Sequence, residues 1–186
     1  MSIPVLKTER LVLRPFQAGD AAVVQRLAGA PEVAMMTQNI PHPYEDGMAE
    51  AWIASHGPAW EEGSLLALAI TSAHDGLVGT VSLRLTPAHR RAELGYWVGV
   101  PFWNQGYVTE AAAALVDFGF RQLGLNRIQA RHLTRNPASG RVMQKLGMKF
   151  EGVQRQYMLV RGAFEDLAMY AVLRSDLGGE PPGNAG

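Results

Sequence analysis

The sequence predicts one domain built around a mixed α/β sheet, and three observations carry that reading. Short runs of strand-like alternation recur from residue 8 to residue 173. Runs with helical spacing separate some of them, opened by Asp20 or Asn136-Pro137 and closed at Gly124 and Gly147. No linker-like stretch divides the series, so residues 1–177 are assigned to a single domain. A chain of 186 residues buries roughly 70% of its unfolded surface, enough for a core without staples.

Residues 8–16 place Leu11 and Leu13 on one side and Val12 on the other, a first strand stopped by Pro15. Asp20 is expected to cap a helix whose apolar positions are Val23, Val24 and Leu27. Residues 31–43 read as irregular, and residues 45–60 as a second helix. Residues 65–70 and 77–85 form a hairpin across His74-Asp75-Gly76. Residues 90–98 are the next strand, and 108–123 a helix with Ala111, Leu115, Phe118 and Phe120 inward. Arg127–Leu133 is a strand, and Asn136-Pro137 starts a helix ending at Leu146-Gly147. Residues 148–159 and Ala163–Leu173 close the sheet around Arg161-Gly162. The order is β-α-α-β-β-β-α-β-α-β-β, and the tail GGEPPGNAG, residues 178–186, reads as disordered.

Composition narrows the function. There is no cysteine, which excludes disulfides, thiolate metal sites and cysteine nucleophiles, and suits a reducing compartment. Seventeen basic residues balance seventeen acidic ones, whereas a nucleic-acid binder more often has a basic surplus. No apolar run nears the ~18 residues that span a bilayer, and MSIPVLKTER lacks the apolar core of a signal peptide. A cytoplasmic protein with no nucleic-acid or membrane partner is expected. His42, His56, His74, His89 and His132 show no ligand spacing, so no metal is expected. Neither GxSxG nor GxGxxG occurs, which argues against a serine hydrolase and a dinucleotide fold.

The informative stretch is residues 93–114, ELGYWVGVPFWNQGYVTEAAAA. A strand enters a Gly99 and Pro101 turn, and Asn104-Gln105-Gly106-Tyr107 then opens a helix. The first N–H groups of a helix lack intrahelical partners and carry partial positive charge, which makes a phosphate site. The alternative is an ordinary strand–turn–helix connection.

Three stretches, TERLVLRPF, WNQGYVTEA and NPASGRVMQKLGM, together resemble Gcn5-related N-acetyltransferases (GNAT), more narrowly the RimJ/RimL branch. The likeness runs from about Thr8 to Leu177. It implies a central mixed, mostly antiparallel sheet, splayed at the cofactor site and flanked by about four helices. It implies acetyl-CoA as cosubstrate and direct attack by a primary amine, without an acetyl-enzyme intermediate. The acceptor is a protein N-terminus or a small amine.

The resemblance also implies roles. Gly106 holds the key glycine of the pyrophosphate motif, and the N–H groups of Gln105, Gly106, Tyr107 and Val108 bind phosphate, with the Thr109 hydroxyl nearby. Trp103 and Val108 depart from the family pattern. The pantetheine arm lies like an added strand against backbone near Trp97, Val98 and Val100. The Val98 N–H is a candidate oxyanion donor; the alternative is a fully paired sheet. Asn136 bonds the arm or caps its helix. Arg131, Arg135 and Arg141 meet the 3′-phosphate end or form a solvated face. Met143 stands where many members have an acidic tyrosine, leaving Ser139 as the nearby hydroxyl. Glu93 is the leading base, with pairing to Arg90 or Arg91 as the alternative; Glu165 and Asp166 are weaker candidates. Glu110 reads as a first-turn residue favoured by the helix dipole. His42, Tyr44, Met35, Met36, Trp52 and Trp60 line an acceptor pocket or are core. Two readings stay beside this one: a non-catalytic acyl-CoA-binding sensor or partner module, and a plain interaction domain. A homodimer through the last strands is common in the family but is not visible here.

Overall fold

A computed structural model describes residues 2–177; Met1 and the 178–186 tail lie outside the described residues. Eight strands form one sheet: β1 (Leu6–Lys7), β2 (Leu11–Arg14), β3 (Leu65–Ser72), β4 (Gly76–Thr86), β5 (Arg91–Val98), β6 (Arg127–Leu133), β7 (Lys149–Val160) and β8 (Ala163–Leu173). Their spatial order is β1-β2-β3-β4-β5-β6-β8-β7. Every neighbouring pair is antiparallel except β5 and β6. A parallel pair needs a crossover, and the helix α5 (Tyr107–Arg121) supplies it.

Alternation along the strands sorts the core. Leu68 and Ile70 of β3 pack with Ala111, Leu115 and Phe120 of α5. Ala69, between them, belongs to a second cluster with Val24 and Ala28 of α1 (Ala21–Ala28) and Ala49 of α3 (Met48–Ala54). The sheet is therefore covered on both faces, which explains why β3 is buried almost without alternation. The helix α6 (Pro137–Lys145) joins the α5 side through Met143, which is 1% exposed.

Most elements match the sequence reading; the departures have local causes. A short helix, α2 (Pro31–Met35), occupies part of the stretch read as irregular. The helix read over 45–60 starts late and divides into α3 and α4 (His56–Glu61). Gly47, at φ 84°, cannot continue a right-handed turn. Pro58 lacks the N–H that an unbroken helix would need there. Asp20 does not cap α1 with its side chain. Its carboxylate accepts the Gln17 N–H at 2.8 Å and two hydrogen bonds from Arg14 at 2.7 and 2.9 Å. That bidentate bond from Arg14 is the main reason the Asp20 carboxyl lies below its ordinary range.

His56 is 3% exposed, sits against Phe16 and Trp52, and has no hydrogen-bond partner on either ring nitrogen. Burial pushes its pKa down to about 4. The unfolded chain therefore binds a proton here between pH 6.5 and 4 that the folded chain refuses. Stability present above pH 6.5 is lost as pH falls through that window, by about 2 kcal/mol from pH 7 to pH 5. Melting temperatures over pH 5–7 are expected to fall in the wild type and to stay nearly flat in His56→Leu.

Candidate active site

The site begins where two strands part. Strands β5 and β6 pair only at Arg91/Arg127, Ala92/Ile128 and Glu93/Gln129. Beyond Glu93 they diverge, and a cleft of about 690 Å³ opens between them. Its walls come from β4, β5, β6, α1, α6, the first turn of α5 and residues 36–41. Such a volume suits a small-molecule ligand.

Register decides which backbone groups face the gap. The Gly99 N–H donates to the Val78 carbonyl at 2.9 Å. Antiparallel residues alternate between bonding and non-bonding pairs, so Trp97 exchanges its bonds with Thr80. The Trp97 carbonyl accordingly points at β4, into the space that a Cβ on Gly79 would need. Tyr96 and Val98 turn their backbone groups the other way, into the gap. The Val98 carbonyl accepts the Trp103 indole N–H at 2.9 Å, which ties the loop to the strand end.

The loop before α5 has the form of an anion cradle. Asn104 and Gly106 are left-handed, at φ 62° and 80°, a geometry that turns successive N–H groups inward. Gly106 is also the N-cap of a 15-residue helix. Gly106, Tyr107, Val108 and Thr109 line the cleft. Arg10 braces the loop from outside: its Nη1 donates to the Gln105 carbonyl at 3.0 Å, and its guanidinium lies 5.0 Å from the Tyr107 ring centroid. A trans peptide points N–H opposite to C=O, so this bond aims the Gly106 N–H away from Arg10. Glu110 holds the brace. Its carboxylate accepts the Thr8 hydroxyl at 2.6 Å, the Arg10 N–H at 2.9 Å and Arg10 Nε at 2.7 Å. Burial opposes ionisation of Glu110, but these hydrogen bonds outweigh it and hold the carboxyl below its usual range.

The α6 wall carries a hydroxyl pair. Ser139 Oγ and the Tyr96 hydroxyl are 2.8 Å apart, and the Tyr96 hydroxyl also reaches the Ser139 carbonyl at 3.0 Å. Burial pushes the Tyr96 phenol up to about 12, so it stays protonated. Gly140 lets the helix approach β6 this closely, since a Cβ there would stand 2.8 Å from His132 Nε2.

Glu93 lies on the opposite face of β5 from Tyr96, as an offset of three residues requires. Glu93 Oε1 is 3.1 Å from Arg131 Nε, and Glu93 Oε2 accepts from Gln129 Nε2 at 3.4 Å. The loop after α2 is clasped over this face. Arg135 and Asn136 donate to the carbonyls of Met35 and Met36 at 2.7 and 3.1 Å, and Arg161 to that of Ile40 at 2.7 Å.

A model of the acetyltransferase (GNAT) domain matches residues 10–149. The chain belongs to the GNAT acetyltransferase family. It is 32% identical over 173 residues to YoaA, an uncharacterized N-acetyltransferase of Bacillus subtilis (strain 168), over 92% of this chain and 97% of that one. The ribosomal-protein-serine acetyltransferase of Escherichia coli (strain K12) is 31% identical over 98 residues, 52% of this chain and 55% of the relative. Among solved structures, RimL, a ribosomal L7/L12 alpha-N-protein acetyltransferase in complex with coenzyme A, superposes with a TM-score of 0.79 at 20% identity, covering 92% of this chain and 97% of that one. The resemblance to the RimJ/RimL branch thus has curated counterparts, the solved structure shares the fold, and the chain is an N-acetyltransferase.

Several residue expectations shift in this acetyltransferase. The gap-facing backbone is that of Tyr96 and Val98 rather than Trp97, because register turns Trp97 toward β4. Trp97, Val98, Asn136, Ser139, Arg141 and Glu93 all line the cleft; Val100 and Gln105 do not. The Gln105 side chain donates to the Pro101 carbonyl, a bond that does not involve its backbone N–H. Asn136 is an N-cap, accepting the Ser139 N–H at 3.3 Å, and its amide also holds Met36. Glu93 pairs with Arg131, not with Arg90 or Arg91. Of the three arginines grouped around α6, Arg131 faces Glu93, Arg135 pairs with Glu165 at 2.8 Å, and Arg141 alone remains on the helix. Asp166 accepts the Gln156 N–H, and neither it nor Glu165 lines the cleft. Glu110 is a brace rather than a simple dipole partner. Tyr96 and Arg10 were missed. Parity along β5 could have marked Tyr96, which lies an even step from Val98; nothing local marks Arg10.

Among the described residues no group of three His, Asp or Glu side chains could hold a metal ion, and no helix is long and apolar enough to cross a membrane.

Proposed function

We propose that this N-acetyltransferase uses acetyl-CoA and transfers the acetyl group to a primary amine, in the first instance a protein N-terminal α-amine. One observation carries the reading: the parted end of β5 opens beside the left-handed loop and free first turn of α5. That combination offers an edge for an extended arm and N–H donors for phosphate within one cleft. The ribosomal-protein relatives and the coenzyme A complex of RimL support the choice of acceptor and cosubstrate.

Acetyl-CoA supplies an acyl group already activated as a thioester. The N–H groups of Gly106 to Thr109 hold its pyrophosphate, Arg141 lies near its 3′-phosphate end, and the gap-facing Tyr96 and Val98 backbone orders the arm. Glu93 takes the proton that the attacking ammonium must shed. Val98 N–H meets the charge that develops on the carbonyl oxygen. The Ser139–Tyr96 pair passes a proton to the departing sulfur, a task Met143 cannot perform, and is restored by the second proton that the nitrogen sheds as the C–N bond forms. The C–S bond breaks, and the products are an amide and a thiol, with the first proton of the ammonium left on Glu93. Positioning between two walls supplies much of the acceleration.

Calorimetry with acetyl-CoA, followed by thiol release with an N-terminal peptide, tests the reading. Saturable binding and peptide-dependent release are expected; no binding by folded protein at millimolar acetyl-CoA overturns it. Arg10→Ala is expected to raise KM for acetyl-CoA by about tenfold, the low end of what one lost hydrogen bond to a charged group costs. It should leave acetyl-pantetheine, which has no pyrophosphate, unaffected. Equal effects on both would contradict the bracing role.

A further inference from the structure

The cleft is unbalanced in charge. Among its described lining residues Glu93 is the sole carboxylate, against Arg84, Arg131, Arg135, Arg141 and Lys145. Arg141 and Lys145 belong to α6, on the cofactor side. Arg135 is held by Glu165 and the Met35 carbonyl. Of the cleft's own cations, two guanidinium groups are left around Glu93, while Arg91 shares a smaller neighbouring pocket with Glu93 and Arg84. Arg131 touches it at 3.1 Å, yet its buried Nε has no aligned hydrogen bond. Arg84 stands opposite Glu93 in the β4–β5 register, is exposed, and has no carboxylate partner among the described residues.

One carboxylate is already shared with Arg131, so the acceptor wall carries an unmatched positive charge at Arg84. Directly opposed strand residues lie about 5 Å apart at Cβ. A group held near Glu93 is therefore also within reach of an arginine on β4. An acceptor with further amines, such as a polyamine, would bring like charge to that place, which costs affinity. An acceptor with an anion beside its amine supplies the missing partner.

We infer that the amine acceptor is anionic near its reacting end, presenting its amine to Glu93 and a carboxylate to Arg84. This rests on the acetyltransferase reading above. The anion belongs either to a free amino acid or to an acidic residue following a protein N-terminus.

The test uses the full chain and acetyl-CoA, whose binding is first established by calorimetry. The acceptors are Ala-Glu-Ala-Ala-amide, its Gln and Lys counterparts, free glutamate and spermidine. Wild-type kcat/KM is expected to favour the Glu peptide or free glutamate over the Lys peptide and spermidine by about fivefold to tenfold, the scale of one partly exposed charge contact. Arg84→Glu should erase or reverse that order. A higher rate with free glutamate places the anion on an amino acid, and a higher rate with the Glu peptide places it in a protein chain. The inference is overturned by equal rates, by a Lys or spermidine preference, by an acidic preference that survives Arg84→Glu, or by no transfer to either acidic probe. Failure to bind acetyl-CoA at all would instead overturn the acetyltransferase reading beneath it.

Discussion

Gly106→Trp is expected to lower acetyl-CoA affinity by a hundredfold or more while the protein stays folded. Gly106 sits at φ 80°, where an L-residue is strained, typically by 1–2 kcal/mol. A Cβ there would stand 3.3 Å from Arg10 Nη2, so a large side chain must push against the brace or into the cleft. Either displacement turns the Gly106 and Tyr107 N–H groups away from a phosphate. Two charge-assisted hydrogen bonds lost at about 1.5–3 kcal/mol each give two to four powers of ten. The loop is a surface connection between β5 and α5, and no buried core residue lies in 103–106. Circular dichroism should therefore be unchanged. Affinity within about threefold of the wild type in folded Gly106→Trp would remove the phosphate role from this loop.

Glu93→Gln is expected to lower kcat by a factor of about a hundred to a thousand, the usual worth of a positioned base, with acetyl-CoA affinity retained. Glutamine keeps the shape and can still meet Gln129, but it cannot take a proton. Because Glu93 also pairs with Arg131, a purely structural role has its own signature. Releasing Arg131 would disturb acceptor binding and raise the acceptor KM with kcat nearly intact. The split between the two constants decides which role Glu93 plays. A kcat within about threefold of the wild type would exclude it as the base.

What the sequence revealed was local. Strands β6 and β8 begin and end where the residue pattern placed them, because alternation, turn glycines and proline act within a few residues. The loop of Asn104 to Thr109 was visible for the same reason. The contacts that complete the site join distant segments. Arg10 meets Gln105 and Glu110 across about a hundred positions, and Asn136 meets Met36 across as many. No spacing rule reaches that far. Register is the intermediate case. The strand from Glu93 to Val98 was legible, but whether Trp97 or Tyr96 faces the gap depends on the pairing of Gly99 with Val78. A one-residue change of parity exchanges the two. The divided helix was written in Gly47 and Gly57-Pro58, whose breaking tendency outweighed the apolar spacing of Met48, Trp52 and Ile53.

A coenzyme A titration followed by backbone amide NMR tests the central claim most directly, because it reports the groups said to hold the cofactor. At saturation the amides of Gly106, Tyr107, Val108, Thr109 and Val98 are expected to show the largest shifts, with Trp97, turned toward β4, moving less. Saturable binding that leaves the 106–109 amides unmoved would contradict the assignment of the pyrophosphate to the start of α5.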